Sequence, residues 1–116
     1  KAYLAALDNA ARDALLEGLT LTRFTANTIV EPDALRAELD ETRERGYAED
    51  REENEPQIFC YGCAIRAADG LPIACISVSI PLFRRNDTPL ETYVEPLRAA
   101  CAAVAERLGP APRSAG

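Results

Sequence analysis

An α+β domain is predicted from three observations on this sequence. Residues 57–66 (QIFCYGCAIR) and 71–80 (LPIACISVSI) are strand-like runs separated by Asp69-Gly70, a strong signal for a two-residue hairpin loop. Helical patterns with recognisable start and stop residues precede this hairpin. A long amphipathic pattern follows it, in which Leu90, Val94, Leu97, Cys101, Val104 and Leu108 recur at spacings of four and three. One hairpin is marginal as a sheet. A wider sheet is therefore expected, with its further strands upstream of Lys1 or within residues 19–30.

Taken in order, residues 2–7 (AYLAAL) read as a short helix. Asp8 is suited to cap a second helix over 9–17, and Gly18 to stop it. Residues 19–30 read as irregular or extended. Pro32 suits the first position of a third helix, on which Leu35 and Leu39 share a face and Glu41 pairs with Arg45. Gly46 ends that helix where a left-handed residue belongs. The acidic stretch from Glu49 to Pro56 reads as a loop, with Glu49, Glu52 and Glu55 solvated. Thr88, Pro89 and Glu91 form a capping-box start for the final helix within 88–108. Its apolar stripe reads as one face packed on a sheet, and Pro96 should kink or interrupt it. Gly109-Pro110 ends it. The chain thus divides into one domain, residues 1–108, and a disordered tail, residues 109–116.

Composition narrows the function. The 116 residues suffice for one modest core and contain no Met. Lys1 is not a residue after which a start Met is trimmed, so the chain reads as a fragment. No apolar run approaches the roughly 20 residues of a membrane-spanning helix, and no signal peptide is visible. The net charge of −6 repels phosphate and makes this piece a poor nucleic-acid binder by itself. Four cysteines in apolar segments and no His read as buried, reduced thiols in a reducing cytosol. Absence of His also removes His-based triads, proton shuttles and metal sites.

The hairpin places chemistry on one side of the sheet. With Ala68 opposite Leu71, every opposed pair sums to 139, so Cys60 faces Ser79 and Gly62 faces Ser77. Opposed residues share a face, which brings Cys60, Ser77 and Ser79 together and leaves space at Gly62. Ala74, Ile76, Val78 and Ile80 line the other, apolar side. A one-residue change in the loop would swap the faces of one strand. Two hydroxyls and a thiol suit a ligand floor; the plain alternative is serines bonded to neighbouring backbone. Asp50, in the loop ahead of the first strand, is suited to orient a ligand hydroxyl or amide.

Rival chemistries fare worse. An enzyme using Cys60 as nucleophile with Asp50 lacks a His base, and an apolar strand disfavours the thiolate. Cys60 and Cys63 lie three apart on a strand and point to opposite faces, which disfavours a metal or redox pair. No metal or cofactor is expected. A purely structural dimerisation module remains as an alternative.

The ordered set Lys1-Ala2…Leu4-Ala5, Thr25…Thr28-Ile29, Leu35…Leu39…Arg43…Gly46-Tyr47-Ala48…Asp50…Glu52-Glu53, Cys60 and Ile76-Ser77-Val78-Ser79…Pro81…Arg84 resembles the C-terminal effector-binding domain of IclR-type bacterial transcription regulators. The likeness covers residues 1 to about 108. It implies a GAF-like α+β fold, with a curved antiparallel sheet, helices packed on its faces, and an N-terminal part missing here. It also implies a cytoplasmic, non-enzymatic domain that binds a small organic acid, with the EENEP and SVSIPLFR stretches resembling the sugar-acid branch. Homodimer or tetramer assembly is implied, and DNA contact only through an N-terminal winged helix-turn-helix outside this chain. The residues that hold ligand in the family map to Asp50, Cys60, Ser77 and Ser79. Three departures bear on pocket size and ligand identity. Gln57 stands where the family has Gly, Ile80 stands before Pro81 where it has Gly, and Gly62-Cys63-Ala64 lacks the family's Pro.

Overall fold

The computed structural model describes residues 1–108, so the end of the last helix at Gly109-Pro110 and the tail lie outside the described residues. The elements run α1 (Ala2–Ala6), α2 (Asn9–Glu17), α3 (Pro32–Arg45), β1 (Ala48–Arg51), β2 (Ile58–Arg66), β3 (Pro72–Pro81), α4 (Leu82–Asp87) and α5 (Glu91–Leu108). The three strands form one antiparallel sheet in the order β1-β2-β3. The α+β expectation holds, with helices packed on the sheet.

Local chemistry accounts for most helix boundaries. Asp8 accepts from the Ala11 N–H at 2.8 Å and starts α2. Pro32 occupies the first turn of α3, and Gly46 closes it at φ +87°. Arg45 does not pair with Glu41; it turns instead to Glu38, 3.3 Å away. That carboxylate is largely buried and also faces Lys1 and Arg51, each at 3.7 Å, so it offers the stronger field.

Two apolar clusters hold the elements together. Alternation along β2 sends Tyr61, Cys63 and Ile65 to one face, where Val94, Leu97 and Cys101 of α5 cover them. Tyr61 is 1% exposed, stacked on Tyr93 and edge-on to Tyr47, with both ring centroids at 6.2 Å. The second cluster joins Ala5, Leu16, Leu35 and Leu39, from α1, α2 and α3. Buried Arg12 ties α2 to α3 through Asp40 at 2.6 Å.

Several elements differ from the sequence reading. The third strand comes from Ala48–Arg51, read as the approach to an acidic loop, and not from residues 19–30, which stay irregular. Edge pairing to β2 overrides the poor strand propensity of Glu49 and Asp50. Helix α4 went unrecognised, and Thr88 lies at its end. The expected capping box therefore does not form. The Thr92 and Tyr93 N–H groups donate to Pro89 and Leu90 carbonyls instead, each at 3.1 Å. Helix α5 is assigned as one helix through Pro96, which is exposed and costs one backbone bond while buried side chains on both sides hold the helix in place.

The hairpin loop also differs. Gly70 donates to the Ala67 carbonyl and Ala67 to the Leu71 carbonyl, both at 2.9 Å, with Gly70 at φ +86°. The loop is thus Ala68-Asp69-Gly70, one residue longer than expected. Arg66 consequently pairs with Pro72, a sum of 138. A bulge then leaves Ile73 without a partner, and from Ile65↔Ala74 to Ile58↔Pro81 every pair sums to 139. The two one-residue shifts cancel, and the faces end as predicted.

In the β1–β2 loop, Glu52 and Gln57 hold left-handed backbone at φ +58° and +66°. Gln57 lacks the freedom of the Gly that the resembling family carries there. A left-handed non-Gly residue costs roughly 1–2 kcal/mol, and Gly loses about 0.5–1 kcal/mol more entropy on ordering. Gln57→Gly should therefore stabilise the protein by about 0.5–1 kcal/mol. Urea denaturation checks this; an unchanged or lowered midpoint contradicts it.

Candidate functional site

The face of the sheet opposite α5 carries the candidate residues in two rows. Asp50 of β1 pairs with Cys60 of β2, which pairs with Ser79 of β3. In the next row, Ala48 pairs with Gly62, which pairs with Ser77. Without β1, Asp50 would be an ordinary loop carboxylate; edge pairing sets its side on the ladder. Gly62 faces α1 across the cavity floor, where a small side chain would make only ordinary contacts. A Cβ built there would lie 3.6 Å from the Ala2 Cβ and 3.9 Å from those of Ala48 and Ser77.

Above these rows lies a cavity of about 400 Å³. Asp50, Cys60, Gly62 and Ser77 line it from the sheet. Ser79 does not line it; its hydroxyl lies 3.3 Å from the Cys60 thiol and meets the cavity only through that sulfur. Asp50 spends one carboxylate oxygen on the Glu53 N–H at 2.8 Å, which sets the turn leaving β1 and leaves the other oxygen for further bonds.

The sequence reading missed several lining residues. Lys1, Ala2 and Tyr3 arrive from the start of the chain, Phe24 from the loop after α2, and Glu53 and Asn54 from the β1–β2 loop. Strand parity carries no information about those elements. Cys75 was within reach of the register argument, since it stands two residues before Ser77 on the same face and opposite Ala64.

Charge around the cavity is arranged in pairs. Lys1 Nζ meets Glu53 at 2.5 Å and donates to the Glu49 carbonyl at 2.8 Å. Glu49 is not solvated as expected: its side chain is 12% exposed and holds Arg51 at 2.7 Å. Glu52 accepts from the Gln57 N–H at 2.9 Å, while Glu55 is exposed. Asp50 has no cation within ion-pair distance among the described residues.

The cysteines divide by strand face. Cys63 and Cys101 are buried, but Cys60 is only half-buried and Cys75 is exposed, against the expectation of four buried thiols. Cys60 and Cys63 do point to opposite faces, one to the cavity and one to the α5 core.

The family model for the C-terminal domain of bacterial IclR transcriptional regulators matches residues 1–106. The chain belongs to the IclR family. Among curated IclR-type relatives, the HTH-type transcriptional regulator XynR of Escherichia coli is 38% identical over 109 residues, covering 94% of this chain and 43% of that protein. KdgR of the same organism is 36% identical over 95 residues, 82% of this chain and 36% of that one. The solved C-terminal domain of E. coli KdgR superimposes with a TM-score of 0.87 at 34% identity, over 93% of this chain and 66% of that one. Thermotoga maritima IclR gives 0.87 at 33% identity, over 93% of this chain and 44% of that one. The chain spans less than half the length of these two curated relatives. Both of these relatives are named transcriptional regulators. No described helix is long and apolar enough to cross a membrane.

Burial, and then the neighbouring Cys63, push the Cys101 thiol up to about 11 from its ordinary 9.0. The unfolded chain therefore loses this proton first. Stability from this group is complete below pH 9 and is lost as pH rises toward 11. Denaturation midpoints measured from pH 8 to 11 should fall, and Cys101→Ala should flatten the fall. An equal slope in both proteins contradicts this assignment.

Proposed function

We propose that this chain is the effector-sensing part of a cytoplasmic bacterial transcription regulator, and that a small organic acid occupies the cavity at Asp50, Cys60 and Ser77. The observation that carries this reading is the cavity itself. Its volume of about 400 Å³ falls in the range of small-molecule sites, and its floor joins an open hydroxyl to an uncommitted carboxylate oxygen.

Ser77 and nearby backbone N–H groups suit the ligand carboxylate, because hydrogen bonds from neutral donors satisfy an anion without a buried counter-charge. Asp50 would repel that anion, so it faces the neutral end and accepts from a hydroxyl. Strand spacing supports this division. Asp50 and Ser77 sit on the two outer strands, whose backbones run roughly 10 Å apart. Ser79 acts by orienting the Cys60 thiol.

Occupancy then biases one of two subunit arrangements in a homodimer or tetramer. That bias alters how paired winged helix-turn-helix domains, outside this chain, meet operator half-sites. A structural dimerisation module is the second reading. One observation favours it: Asp50 and Cys60 already have partners within the domain, at Glu53 and Ser79.

Calorimetric titration of the intact regulator with small carboxylates separates the two. One acid should bind, and Ser77→Ala should weaken it about tenfold, the cost of one charge-assisted hydrogen bond. Unliganded stability should hardly change, since Ser77 is exposed. If no acid binds and the variant regulates normally, the sensing reading fails.

A further inference from the structure

A second cavity, of about 230 Å³, opens at the C-terminal end of α1 and shares only Ala2 with the sheet-face cavity. Arg43 of α3 and Arg66 of β2 both line it. Their guanidinium groups converge on the last carbonyls of that helix. Arg43 Nε donates to the Ala5 carbonyl at 3.0 Å, its Nη2 to the Leu7 carbonyl at 2.5 Å and its Nη1 to Asn9 Oδ1 at 2.9 Å. Arg66 Nη1 donates to the Ala6 carbonyl at 2.9 Å and to the Gly70 carbonyl at 2.8 Å. Consecutive carbonyls thus hold two cations side by side. A third guanidinium, that of Arg98, borders Gly46 in the cavity wall, where a built Cβ would lie 3.3 Å from its Nη2.

These charges are not balanced within the domain. Among the described residues, no carboxylate comes within ion-pair distance of Arg43, Arg66 or Arg98. Asp8 and Asp69, the acidic residues beside these anchors in the chain, are turned to the Ala11 and Leu71 N–H groups at 2.8 and 3.0 Å. A helix C-terminus supplies about half an elementary negative charge, so roughly one and a half positive charges of the two remain, before Arg98 is counted. The net charge of −6 opposes this at long range, but physiological salt screens it beyond about 8 Å. Donors remain as well. Nε and Nη2 of Arg66 meet no acceptor among the described residues. These N–H groups form a planar fork that matches two oxygens of one oxyanion.

We propose that this second cavity is an anion site, at which Arg66 and Arg43 hold a small phosphate-type dianion. The residual positive charge favours a dianion over a monocarboxylate. The bound anion ties the end of α1 to α3 and to the β2–β3 hairpin. This site does not depend on effector sensing at the other cavity.

Calorimetric titration of the intact regulator with sodium phosphate, at constant ionic strength, tests this. Phosphate should bind saturably, and sodium acetate at least about tenfold more weakly. Arg66→Gln should weaken phosphate by about tenfold or more, the loss of a charge-assisted pair of hydrogen bonds. Hydrogen exchange of the unaltered protein, read by mass spectrometry, locates the anion without any variant. Exchange in α1 and in residues 66–71 should slow on adding phosphate, while segments carrying Asp50, Cys60 and Ser77 keep their rates. Absence of saturable binding, equal affinity for acetate, undiminished phosphate affinity in Arg66→Gln, or slowing centred on the sheet-face cavity overturns the proposal.

Discussion

Strand β2 has two different neighbours on its two faces, and this constraint organises the domain. Tyr61, Cys63 and Ile65 bury against α5, and fully burying a large apolar side chain contributes roughly 1.5–3 kcal/mol. Slipping the strand by one residue would expose that set and drive Cys60 and Gly62 into the core. The core face therefore holds the polar face in place. The candidate site is the reverse side of a packing decision made for stability.

That dependence explains how the hairpin tolerates an irregular turn. The loop takes three residues where two would keep the register, and the Ile73 bulge removes the extra residue at once. Turn geometry alone would have put Ser77 and Ser79 against α5. Burial of Ile76, Val78 and Ile80 in the α5 core is the stronger term, and the bulge absorbs the mismatch.

Ion pairs play a comparable positioning role at the other edge of the cavity. Glu38 gathers Lys1, Arg45 and Arg51, and Lys1 reaches on to Glu53. The start of α1, helix α3 and the β1–β2 loop are thereby joined around one largely buried carboxylate. Removing any one cation would leave charge poorly compensated in a low-dielectric place. Within the acidic stretch Glu49 and Glu53 serve as wiring between elements, whereas Asp50, Glu52 and Glu55 pair with no cation among the described residues.

Local chemistry in the chain by itself determined much of this architecture. Asp8, Pro32 and Gly46 marked helix limits because capping depends on adjacent residues, and period-two alternation sorted Cys60, Ser77 and Ser79 onto one face. The IclR likeness rested on the same short-range order. Other features depended on partners distant along the chain. Ala48–Arg51 became a strand only because β2 offered an edge. Gln57 became left-handed only to close the loop between them. Tyr3 and Phe24 reached the cavity because α1 and the 24–28 loop fold over the sheet, whereas Ser79 touches the Cys60 thiol and lies outside the lining. Parity along a strand is a local property; which elements cover a face is decided by packing among segments that no local pattern connects.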